Sequence, residues 1–130
     1  MEEIYYKKKL MGIKIRGVPK GSIPRTPKDW ALQLVTLKHP KGTRLAAHYH
    51  QPKKRQTARL QEFLFVKRGK VRLDLYGPDI EYFKKIYLTA GQGYLTVDGG
   101  FGIQFLLNSE LFELKNGPFV EDKVTIDEKK

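Results

Sequence analysis

The 130-residue chain contains no cysteine. Disulfides and thiolate metal ligands are therefore excluded, and any transition-metal site must be built from histidine, carboxylate and water. No stretch approaches the roughly 18 consecutive apolar residues of a membrane-spanning helix. The opening MEEIYYKKKLMGIKIRG carries charges where a secretory signal needs an apolar run, so the expectation is a cytoplasmic protein with no membrane partner. No dozen residues show a helical hydrophobic period, and repeats and low-complexity tracts are absent. Acidic residues are scarce in one part only: residues 1–72 hold 4 against 19 Lys and Arg, whereas residues 73–130 hold 10 against 6. The net charge of +11 is thus local and suits an anionic partner. Nucleic acid is a weak candidate for it, since no helix-turn-helix, zinc-finger or RNP-like pattern accompanies the charge.

Seven Phe, seven Tyr and one Trp supply bulky core material that a disordered chain would lack, and the length fits one domain. From Trp30 onward the chain reads as short strands: WALQLVTL, TRLAAHYH, RLQEFLFVK, KVRLDLY, EYFKKIYLT, GYLTV, GIQFLL and LFELK. They are separated by HPKG, RG, YGPD, AGQG, DGG and KNGP, whose Gly, Pro, Asn and Asp permit tight turns. The spacing predicts an all-β sandwich or barrel with little helix. Residues 1–29 are expected as an extension packing on the barrel, with LMGIKIRG as an edge strand and the proline-bearing VPKGSIPRTP as a loop. Residues 30–120 are the expected barrel, and 121–130 a tail contributing one short edge strand.

FVKRGKVRL is expected to form a tight hairpin, with Gly69 supplying positive φ. Side chains alternate along a strand, so Leu60, Glu62, Leu64 and Val66 share one face while Phe63 and Phe65 take the other. Glu62 then stands in a buried column, where an unpaired carboxylate is costly; it needs a cation, a donor or a proton. The same alternation puts Ala46, His48 and His50 on one face of the preceding strand, so that both imidazoles can point at one ion.

Gly42, five residues, His48-Tyr49-His50, then Glu62, six residues and Gly69 resemble the first motif of the cupins, with a longer gap between His50 and Glu62. The resemblance spans residues 31–120 and includes LTAGQGYLTVDGG and ELKNGPF. It is similar to a subgroup of small single-domain cupins encoded among genes for cell-surface polysaccharide assembly. It implies a double-stranded β-helix, a cupin jelly-roll barrel, which agrees with the strand reading, and a homodimer as the common state. It also implies a divalent metal (Fe, Zn, Mn or Ni) on His48, His50 and Glu62. One departure weighs against a metal: where the second motif carries its last histidine, this chain has Phe101 or Gly102. The alternative is a metal-free polar cluster in which the two histidines hydrogen-bond Glu62. His39, before a proline, reads as a turn or surface residue.

The lengthened gap QPKKRQTARLQ places Lys53, Lys54, Arg55 and Arg59 at the expected barrel mouth. Arginine's planar fork suits two phosphate oxygens, so Arg55 and Arg59 are the expected specific contacts, with the lysines steering. Tyr49 and Gln61 fall on the opposite parity and read as supporting residues. Glu113 and Lys115 share a face of a late strand, where a cross-strand ion pair would explain both; Gln104, Lys115 and Asp98 are further candidates for substrate contact. Two functions follow. One is an isomerase- or epimerase-like enzyme on a sugar, expected to be nucleotide-linked, in surface-polysaccharide synthesis. In it either a metal acts as Lewis acid, or His48 or His50 acts as base beside Glu62. The other is a catalytically inactive cupin module that binds an anionic saccharide.

Overall fold

Most of the alternating segments become strands, and what pairs with what is decided by long-range register. The computed structural model describes residues 1–128. Among them there is no helix, and the strands in chain order are β1 (Glu2–Tyr6), β2 (Lys9–Ile15), β3 (Gly21–Pro24), β4 (Val35–Lys38), β5 (Glu62–Arg68), β6 (Lys70–Tyr76), β7 (Tyr82–Thr89), β8 (Gly93–Thr96), β9 (Gly100–Phe105) and β10 (Glu110–Lys115). The chain divides into two compact units, one of Met1–Gly17 with the residues from Gln61 onward, the other of Val18–Leu60.

In the first unit a five-stranded antiparallel sheet, ordered β1-β2-β8-β5-β10, faces a three-stranded one, ordered β7-β6-β9. Ile4, Leu64, Val66 and Tyr94 from the larger sheet meet Val71, Leu73, Leu75, Ile86 and Leu88 from the smaller in one core. Burying each such aliphatic side chain contributes about 1.5–3 kcal/mol. This is a β-sandwich arrangement. The expected closed barrel is not seen: β1 and β10, and β7 and β9, remain edge strands.

TRLAAHYH does not form the expected strand. Residues 43–50 are exposed irregular chain, with Leu45 53% and Tyr49 83% exposed. A strand needs a ladder partner and an apolar side to bury. Alternation here offers only Ala46 with two histidines on one face and Leu45, Ala47 and Tyr49 on the other. Arg59, expected to begin the next strand, also lies before β5.

Gly69 does not make a hairpin. β5 pairs with β8 and β10, while β6 pairs with β7 and β9, so Gly69 (φ 98°) is a corner at which the chain passes from one sheet to the other. The return crossing, between β9 and β10, lies against it. The Lys70 N–H donates to Ser109 Oγ at 3.0 Å, and the Leu106 N–H donates to the Lys70 carbonyl at 2.9 Å. Both faces of β5 are apolar, and that residue pattern cannot tell a hairpin from a corner joining two packed sheets.

At the N-terminus LMGIKIRG supplies β2, but not as an edge: β1 covers it through a turn in which Lys7 and Lys8 have φ of 50° and 67°. The segment read as a proline loop contains β3, which pairs with β4 in the second unit. His39 is hydrogen-bonded to Ser22 Oγ at 2.9 Å there. The tail forms no strand among its described residues; Lys129 and Lys130, which belong to that expectation, lie outside them.

Candidate acid–base site

Glu62 opens β5, and register places Thr96 of β8 and Lys115 of β10 directly opposite it on either side. One pair further along, Leu64 stands between Tyr94 and Glu113. Paired residues point to the same face and residues two apart share it. Leu64 and Tyr94 belong to the core, so Glu62, Glu113, Lys115 and Thr96 occupy the core-facing side at one end of the larger sheet.

Lys115 Nζ lies 3.6 Å from Glu62 Oε2 and 3.7 Å from Glu113 Oε1. The expected ion pair is therefore present, with Glu62 as its cross-strand member and Glu113 as a neighbour on the same strand. Burial pushes the Glu62 carboxyl above the usual glutamate range, the nearby Glu113 charge and a hydrogen bond with it push the same way, and Lys115 pulls against them. Two carboxyls beside one ammonium can hold a proton and release it, which is what acid–base chemistry asks of a site. Next to them Thr96 Oγ1 is buried with no hydrogen-bond partner among the described residues, an arrangement native proteins seldom tolerate.

The raised pKa has a consequence for stability. The folded state holds the Glu62 proton more tightly than the unfolded chain does. The stability it contributes is therefore full below the ordinary value of 4.5 and is lost as pH rises through the higher folded value. Urea midpoints measured across this window should fall with pH more steeply in the wild type than in Glu62→Gln; parallel curves would mean that Glu62 titrates as in the unfolded chain.

The histidines sit in the second unit, exposed and outside any strand. Their rings stand edge to face with centroids 5.2 Å apart, and His48 Nδ1 is hydrogen-bonded to the Ala46 carbonyl at 3.0 Å. Lys53, Lys54, Arg55 and Arg59 lie on the same exposed segment, where Arg55 donates to the Lys53 carbonyl at 3.4 Å. Among the described residues no group of three or more His, Asp or Glu gathers where it could hold a metal ion, and Glu62 already faces an ammonium.

Gln104 pairs with Arg72 and so points to the side of β9 away from the core, not to the face that carries Glu62. Asp98 accepts the Gly99 N–H at 2.7 Å, a local turn bond. Gln61 is buried, and its backbone N–H donates to Asn116 Oδ1 at 2.8 Å. Phe101 is partly buried against the core and packs edge-on against Tyr94 with ring centroids 6.4 Å apart. Sequence reasoning missed the Glu62–Glu113 pairing and the orphaned Thr96 hydroxyl. A polar residue in the β-rich GYLTV was the only local signal for the latter, and no local signal exists for the former. No protein-family model matches this chain, nor does any curated protein or solved structure.

Proposed function

We propose that the protein is a small cupin-type enzyme that moves a proton on a nucleotide-linked sugar, in the manner of an isomerase or epimerase. The observation that carries this reading is Glu62: a carboxyl held above its usual pKa range on the core-facing side of the sheet, with Glu113 and Lys115 beside it. A carbon–hydrogen bond next to a sugar carbonyl is acidic enough for such a base, and its removal leaves an enediolate. The protonated carboxyl, in exchange with solvent, then gives a proton back to the same carbon (epimerisation), or to the former carbonyl carbon while the adjacent hydroxyl proton passes to the old carbonyl oxygen and the carbonyl shifts by one carbon (isomerisation). The nucleotide part of the substrate rests on the composition of residues 53–59 alone, whose arginines and lysines match phosphate oxygens.

The test is incubation with nucleoside diphosphate keto sugars in D2O, read by proton NMR. Wash-in of deuterium at a carbon flanking the carbonyl is the expected result, and it reports proton removal whatever the product. Retention of every such hydrogen would overturn the reading. A non-catalytic saccharide-binding module is the second reading, favoured by Phe101, which packs where the cupin motif carries a histidine. It predicts saturable binding of the same compounds without exchange.

A further inference from the structure

Charge divides unevenly between the two compact units. Val18–Leu60 holds ten Lys and Arg against one acid, Asp29, a net of +9, whereas the rest of the chain holds fifteen against thirteen, a net of +2. Most of the excess follows β4: residues 38–60 are all exposed and carry seven Lys and Arg with no acidic side chain. Lys38, Lys41, Arg44, Lys53 and Lys54 make no ion pair among the described residues. Past Lys38 this stretch enters no strand; a turn in which the Thr43 N–H donates to the Pro40 carbonyl at 3.2 Å interrupts it. Like charges repel and hold such a chain extended, so its cations and peptide groups stay open to a partner.

That partner is a polyanion, because one diphosphate would leave most of the +9 unmatched. A membrane surface suits it poorly: an interfacial segment needs bulky apolar anchors, and residues 38–60 contain no Phe, Trp, Ile, Val or Met. Rings are what they do present. Tyr49 is 83% exposed and lies between His48 and His50, whose imidazoles stand edge to face with centroids 5.2 Å apart. An exposed phenol among cations is a platform for an unpaired base, since every base has a π face. No recognition motif accompanies the charge, and none is required, because phosphate contacts and stacking tolerate any sequence.

We propose that this unit binds single-stranded nucleic acid, with the Lys and Arg of residues 38–60 along the phosphates and Tyr49 stacked on a base. The interaction is separate from Glu62 and does not depend on the sugar reading. Fluorescein-labelled oligo(dT) and oligo(U) are titrated with the full chain and followed by anisotropy at several salt concentrations. Saturable binding of one or both is expected. For about four neutralised phosphates the logarithm of the binding constant should fall against log salt with a slope of about −3. Tyr49→Ala keeps the charge and should bind about tenfold more weakly; Lys53→Gln with Lys54→Gln should flatten the slope by about 1 to 1.5. All three positions are exposed, so the core is untouched. Heparin fragments and phosphatidylserine vesicles serve as partners that offer charge without bases, and Tyr49→Ala should leave heparin binding unchanged. Neither oligonucleotide binding at about 0.1 M salt, an equal loss for heparin in Tyr49→Ala, or vesicles bound as tightly as the oligonucleotides would each overturn the proposal.

Discussion

Gly69→Ala should cost the protein about 3 kcal/mol or more of stability, a large share of the roughly 5–15 kcal/mol available to a domain. Two effects combine there. At φ 98° an L side chain is strained by about 1–2 kcal/mol. A Cβ would also stand 2.6 Å from the Asn108 carbonyl oxygen and 2.7 Å from Ser109 Cα, with Ser109 Oγ closer still. Backbone atoms cannot swing aside, so relief requires parting the two crossings that join the sheets and weakening the Lys70–Ser109 and Lys70–Leu106 bonds. Gly91 is the internal control: its φ is 85°, but nothing lies within 4 Å of the added carbon, so Gly91→Ala should show the conformational cost alone. Urea unfolding of the two variants separates the contributions, and equal losses would show that the corner does not have this packing.

Glu62→Gln should lower deuterium wash-in about 10²–10⁴-fold, the usual share of a positioned acid–base group, while leaving the fold intact. Glutamine keeps the shape and can still hydrogen-bond, but its neutral amide cannot take a proton from carbon as a carboxylate does. Burial already favours the neutral form at this position, so the substitution should not destabilise at neutral pH. Loss of exchange with a urea midpoint no lower than that of the wild type at neutral pH is therefore the expected combination. Lys115→Met provides a second reading of the same site. It removes an ammonium that pulls the Glu62 pKa down, so the rising limb of the exchange-versus-pH profile should move to higher pH. Unaltered exchange in Glu62→Gln would remove this carboxyl from the mechanism.

Much of the site was legible residue by residue. Glu62 sits between Leu60 and Leu64 in a run apolar on both faces, so its need for a partner follows from desolvation alone, and the shared face of Glu113 and Lys115 follows from period-two alternation. That these three belong to one cluster does not follow, because the Glu62–Lys115 pairing spans 53 positions and depends on which edge of the sheet β10 takes. The same limit explains the corner at Gly69, where a positive-φ glycine between two strands serves a hairpin or a crossing equally well. It also explains residues 43–50, whose alternation is real but finds no partner strand.

The order of residues by itself determined the all-β class, the places where the chain turns, the uneven charge and the demand that Glu62 be paired, since these follow from local periodicity, backbone freedom and the cost of burying charge. The tertiary structure alone decided that the strands stack as two open sheets. It also set Lys115 and Glu113 as the partners of Glu62. The physical reason is that strand partners are chosen by which apolar faces can be buried together across the whole chain, a condition no short stretch of residues contains.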